Sequence, residues 1–121
     1  MPLTISSRQS GAIEILTLAG RLTLGDATAS VRETVRKALD RGSDILIDLS
    51  GVDYMDSAGL GEVVSALASA STRGRTVKLL RPMNRVTQLL HITKLFSTFE
   101  IFENEPEALS SFKKLVAESA R

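Results

Sequence analysis

Hydrophobic and polar positions alternate near the N-terminus and then change period, which divides the chain into strand-like and helix-like segments. Leu3 to Gln9 and Ala12 to Ala19 have strand character, with Ile13, Ile15 and Leu18 giving the second its apolar weight. Ser10-Gly11 between them suits a tight turn, so the chain is expected to open with an antiparallel hairpin. From Ala27 the spacing becomes helical: Val31, Val35, Ala38 and Leu39 share a face, and charged residues fill the opposite one. Asp26 stands before this helix as a candidate N-cap, and Gly42 marks its stop.

Ile45-Leu46-Ile47-Asp48-Leu49 is almost continuously apolar. That suits a central strand covered on both faces, although a buried helical segment shares the pattern. The clearest helical period follows, with Leu60, Val63, Val64, Leu67, Ala68 and Ser71 in one stripe and Gly74 closing the segment. Thr76 to Leu80 reads as a strand stopped by Pro82, Arg85 to Thr93 as a short helix, and Phe99 to Phe102 as a brief strand. Asn104-Glu-Pro-Glu107 carries the signals of a helix start, and Ala108, Leu109, Phe112, Leu115 and Val116 form the inward stripe behind it. A hairpin followed by alternating helices and strands predicts an α/β fold: one domain over residues 1–121, a mixed four- to five-stranded sheet, and about four helices mainly on one side.

Composition narrows what such a domain does. Its 121 residues give room for one core, and 43% hydrophobic with 24% charged residues is ordinary for a globular protein. A formal charge of +1, with basic residues scattered, offers no field for nucleic acid. No cysteine is present, which removes disulfides, thiolate catalysis and Cys-ligated metals. The opening Met-Pro-Leu-Thr-Ile has no signal-peptide pattern and no apolar run approaches a membrane span, so a soluble cytoplasmic protein without membrane insertion is expected.

The chemistry concentrates in Asp48-Leu-Ser-Gly-Val-Asp-Tyr-Met-Asp-Ser-Ala-Gly-Leu-Gly61. The pattern is a buried strand, a sharp loop and a helix start with Ser57 on the first turn. A helix N-terminus carries free N–H groups and partial positive charge, so it tolerates an added phosphate. Ser57 therefore reads either as an N-cap or as a phosphoacceptor, two roles that one residue can alternate between. Gly59 and Gly61 lie in the same first turn, where each is unfavourable by about 1 kcal/mol relative to Ala. They point to close backbone approach, within the fold or by a partner. Enzymatic readings are poorly supplied. A hydrolase elbow needs Gly where Met55 stands, and His91 is the sole imidazole, on a helix away from the motif. Asp48, Asp53 and Asp56 read as strand-end acids more readily than as a metal site.

The whole segment resembles the phosphoacceptor region of STAS domains and, more narrowly, of the small anti-sigma factor antagonists of bacterial partner-switching systems. Gly20-Arg-Leu is similar to the Gly-x-Leu that ends the family's second strand. Arg81-Pro with Val86, Leu89 and Leu90 resembles its Pro followed by a Val-x-x-Leu helix. The resemblance implies a non-enzymatic switch without a cofactor. Unphosphorylated, it binds a GHKL-type anti-sigma factor serine kinase and frees a sigma factor. That kinase phosphorylates Ser57, and a metal-dependent phosphatase reverses the modification. It also implies a partner surface of Thr23, Asp26, Asp56, Ser57, Ala58, Gly59 and Gly61. The sequence departs from the family in having Thr23 where Asp commonly follows Gly-x-Leu, and in a loop one residue longer, with Leu24-Gly25 before Asp26. A STAS scaffold of a signalling complex, or a STAS subunit of a lipid-transport system, would share the fold and remains the alternative.

Overall fold

The alternation in the sequence becomes a five-stranded mixed sheet in a computed structural model, which describes residues 2–119 and side chains through residue 112. β1 (Thr4–Ser10) and β2 (Ile13–Leu22) form the antiparallel hairpin. Its two-residue turn is Gly11-Ala12 rather than Ser10-Gly11, because the left-handed position, at φ 59°, falls to Gly11 as the first turn residue. Then β3 (Asp44–Met55), β4 (Val77–Leu80) and β5 (Ile101–Phe102) add in parallel, in the spatial order β1-β2-β3-β4-β5.

Helices α1 (Asp26–Asp40), α2 (Ser57–Thr72) and α3 (Asn84–Ile92) each connect neighbouring parallel strands. Spatial order equals chain order, so every crossover steps the same way across the sheet. Crossovers of one hand then place all three helices on one face. The main core has that composition: Val31, Val35 and Leu39 of α1, Leu60 and Val63 of α2, and Val86 and Leu90 of α3 pack on Leu16, Leu18, Ile45, Ile47 and Leu79. α4 (Glu105–Ser119) crosses to the other face, where Ala108 and Phe112 close a smaller core with Ile13, Ile15, Leu46 and Leu80. Asn104 caps it as expected, its Oδ1 accepting the Glu107 N–H at 2.8 Å. The stripe residues Leu115 and Val116 have side chains outside the described residues.

Three further expectations need correction. β3 is twelve residues long rather than five, because Gly51 lets it continue through a bulge against β2. A Cβ at Gly51 would lie 2.8 Å from the Ala19 Cβ, so the continuation depends on glycine. Asp26 is the first residue of α1, and Gly25 occupies the cap position with φ 121°. Its N–H donates to Thr28 Oγ1 at 3.2 Å, and the Thr28 hydroxyl donates back to the Gly25 carbonyl at 3.0 Å. In α2 the buried stripe runs Leu60, Val63, Ala66 and Ala70, leaving Ala68 and Ser71 exposed. A period of 3.6 drifts from the i+4, i+8 spacing over four turns.

Two charged groups are buried at the margins. Glu14 at the start of β2 receives Arg41 at 2.5 Å and the Ser7 hydroxyl at 2.6 Å, which joins the hairpin to the end of α1. Burial works to raise its pKa, but the hydrogen bonds from Arg41 and Ser7 bring it below the ordinary glutamate value. Lys78 on β4 lies beneath α4. Its Nζ donates to Ser111 Oγ at 2.8 Å, meets Glu100 at 3.1 Å and sits over the Phe112 and Phe102 rings. Glu100 is exposed enough to be solvated alone, and Ser111 keeps its bond to the Ala108 carbonyl. Lys78→Met should therefore leave stability unchanged or raise it by up to about 2 kcal/mol. Lys78→Ala should lower it by about 2 kcal/mol or more through the cavity. Denaturant midpoints of the two variants check this.

Candidate functional site

Parallel pairing brings the ends of β2 and β3 side by side, with Leu22 opposite Met55. The loops that follow both strands therefore emerge together at the carboxyl rim of the sheet, the usual place for function in open α/β sheets. The loop after β3 is reduced to Asp56 alone. Its N–H donates to the Leu22 carbonyl at 3.3 Å, and its extended backbone makes it the N-cap of α2. Ser57 is thus the first helical residue and not the cap.

The Asp56 carboxylate serves both loops. Oδ1 accepts the Gly59 N–H at 2.7 Å, closing the first turn of α2. Oδ2 accepts the Leu24 N–H at 3.1 Å, holding the loop between β2 and α1. These N–H groups, Gly59 first and Leu24 second, pull the Asp56 pKa below the ordinary aspartate value. Ser57 is exposed, and its hydroxyl makes no hydrogen bond among the described residues. Among the described residues no base is in hydrogen-bond contact with it. His91 instead stacks on Phe96 at a centroid distance of 4.1 Å.

The two glycines of the first turn have different causes. A Cβ at Gly59 would stand 2.2 Å from the Leu22 carbonyl oxygen, so glycine lets α2 seat against the end of β2. A Cβ at Gly61 would meet nothing within 4 Å. Gly61 lies one turn beyond Ser57 on the same exposed face, and the fold itself supplies no reason for it.

The remaining expected residues gather at this rim to different degrees. Thr23 and Ala58 are half-buried, and Asp26 is exposed at the start of α1. Thr23, Leu24 and Asp26 line a groove of about 350 Å³ together with Arg21. Arg21 also lines a second groove, of about 670 Å³, with Asp53, Tyr54, Met83 and Arg85; its guanidinium lies 4.4 Å from the Tyr54 ring centroid. Arg81 holds the adjacent loop after β4. It has φ 47°, donates its N–H to the Phe102 carbonyl at 2.8 Å and pairs with buried Asp48 at 3.3 Å. Sequence reasoning missed Leu24, which is 78% exposed, and Met83, which is 41% exposed. A large apolar residue between Thr and Gly in a loop was the available signal for the first.

Gly59→Ala should destabilise by about 2 kcal/mol or more through the clash with Leu22, whereas Gly61→Ala should stabilise by about 0.5–1 kcal/mol. Equilibrium unfolding of both variants distinguishes a packing glycine from one with no role in the fold. For Asp56, the folded pKa lies below the unfolded one, so its contribution is complete above the unfolded value. It disappears as pH falls through the folded value. Asp56→Asn keeps one oxygen for the Gly59 N–H but loses the acceptor of the Leu24 N–H, and should cost about 1 kcal/mol at neutral pH. The gap to the parent should close progressively below about pH 4 in acid titrations of stability.

The chain is similar to known proteins in sequence and in fold. A family model described as the STAS domain matches residues 4–108. The anti-sigma-B factor antagonist of Bacillus subtilis strain 168 is 29% identical over 101 residues, covering 84% of this chain and 92% of that protein. The TM1081 homologue of Thermotoga neapolitana is 39% identical over 72 residues, covering 59% of this chain and 64% of that protein. The anti-sigma factor antagonist SpoIIAA has the same fold in its unphosphorylated form, with a TM-score of 0.79 and 19% identity over 92% of this chain and 97% of that one. Its phosphorylated form gives a TM-score of 0.72, again at 19% identity, over 90% of this chain and 99% of that one. With its sheet order, its helix-capped rim and a family match from β1 into α4, the chain belongs to the STAS domain family.

Proposed function

We propose that this protein is an anti-sigma factor antagonist whose binding surface is switched by phosphorylation of Ser57. The observation that carries the reading is the division of labour at the start of α2. Asp56 supplies the cap, so the exposed Ser57 hydroxyl is free to be modified without loss of a bond the helix needs. The relatives named as antagonists, and the occurrence of SpoIIAA in both phosphorylation states on this fold, support it.

A phosphoserine adds about −1.5 to −2 charges near neutral pH. Placed on the first residue of a helix, part of that charge is offset by the macrodipole, an effect of about 0.3–1 kcal/mol for an exposed site. The fold therefore survives the modification. A partner seated against Ser57 and the bare backbone at Gly61 meets the full new charge and the added bulk. Unmodified protein sequesters an anti-sigma factor of the GHKL serine kinase type, and the sigma factor is released. The kinase modifies Ser57 and a metal-dependent phosphatase restores the binding form. Thr23, Asp26 and Asp56 belong to the same surface, with Ala58, Gly59 and Gly61 forming the first turn beneath the partner.

Ser57→Ala should remain constitutively competent for binding, and Ser57→Asp should bind about tenfold more weakly, since one carboxylate carries less charge than phosphate. Affinity capture from the native lysate on the two baits checks this by mass spectrometry. A serine kinase retained by the Ala bait and depleted on the Asp bait is the expected result. Equal capture of a transporter ATPase or scaffold protein by both would contradict the switch.

A further inference from the structure

Leu24 presents a large apolar side chain to solvent, 78% exposed, although the fold offers apolar burial elsewhere. It belongs to a three-residue link, Thr23-Leu24-Gly25, between the end of β2 and the start of α1. Gly25 at its far end is anchored to α1 through Thr28, and Leu22 at its near end is anchored in the sheet. The Leu24 backbone between them is held by its N–H bond to Asp56 Oδ2. The other oxygen of that carboxylate caps the helix on which Ser57 is the first residue.

We propose that Leu24 is a specificity-determining contact of the partner surface, and that the shared Asp56 carboxylate couples its position to the modification state of Ser57. The proposal rests on the phospho-switch reading of Ser57 and adds a second element to it. The partner it fits offers an apolar socket beside the group that approaches the Ser57 hydroxyl. A leucine moved from water into such a socket strengthens binding by about tenfold or more.

The coupling follows from two anions at one helix end. A phosphate on Ser57 sits beside the Asp56 carboxylate, repels it and competes for the same N-terminal N–H groups. Of the two bonds that Asp56 accepts, the one from Gly59 is 2.7 Å long and closes the helix turn. The one from Leu24 is 3.1 Å long and reaches across to a separate element. The longer bond yields first. Leu24 then loses the tether that presents it, so phosphorylation removes an apolar contact as well as adding a charge.

Amide hydrogen exchange tests the coupling without any partner, using full-length protein with phosphoserine encoded genetically at position 57. The Leu24 amide should exchange about tenfold or more faster in the phosphorylated protein, with the Ile47 and Leu49 amides of β3 unchanged. Asp56→Asn should produce the same local acceleration without phosphate. Unchanged Leu24 exchange on phosphorylation would overturn the coupling even if the partner dissociates. For the contact, Leu24→Ser should bind the serine kinase retained by the Ser57→Ala protein about tenfold more weakly, at an unaltered melting temperature. Affinity within twofold of the parent would overturn that part. If no kinase is retained by Ser57→Ala, the switch reading itself fails, and the contact with it; the exchange result still decides the coupling.

Discussion

The parallel pairing of β2 with β3 is the constraint on which the rest of the rim depends. It sets Leu22 opposite Met55, so two loops distant in sequence leave the sheet as neighbours. The Leu22 carbonyl then accepts the Asp56 N–H, and the same oxygen leaves no room for a Cβ on Gly59. The direction of α2, the position of Ser57 and the reach of Asp56 to Leu24 all follow from that contact. A shift of register here would separate the carboxylate from the loop it holds. Two irregularities, one between Thr17 and Ala19 and one between Gly20 and Arg21, each shift the register by one residue of β3 before the strands reach the rim as Leu22 opposite Met55.

Much of this organisation was legible in the sequence, for reasons that differ by element. The order of strands and helices came from periodicity, and the single-sided placement of α1, α2 and α3 follows from a sheet whose spatial order matches the chain. Asn104 was readable as a cap because its signal is local and its bond to Glu107 is made within four residues. Asp26 was misread because Thr28 satisfies Gly25 from inside the helix, which needs no carboxylate. The apolar run ends at Leu49, so hydrophobic pattern alone stops β3 there, although the strand continues to Met55. Its continuation depends on the approach of Ala19 from another strand, and sequence pattern carries no such information. Ser57 was recognised as chemically special, yet its freedom from capping became evident only with Asp56 in place.

The rim separates two tasks that often conflict in a single residue. Asp56 holds structure, with both oxygens engaged and its pKa lowered by the N–H groups of Gly59 and Leu24. Ser57 and Gly61 face outward without structural duty, one with an unengaged hydroxyl and one with no side chain. On the proposed reading, a modification of Ser57 acts on what the surface presents and leaves the core contacts intact. The fold supplies the helix end, the link between β2 and α1 supplies Thr23 and Leu24, and the start of α1 supplies Asp26.

On the proposed switch, charge on Ser57 abolishes binding while the domain stays folded. Calorimetric titration of unmodified and phosphoserine-57 protein against the captured serine kinase, with unfolding free energies of both forms, tests it most directly. The expected result is an affinity loss of about a hundredfold or more, with stabilities within about 1 kcal/mol of each other. Equal affinities, or a loss of binding that accompanies unfolding of the phosphorylated form, would contradict it.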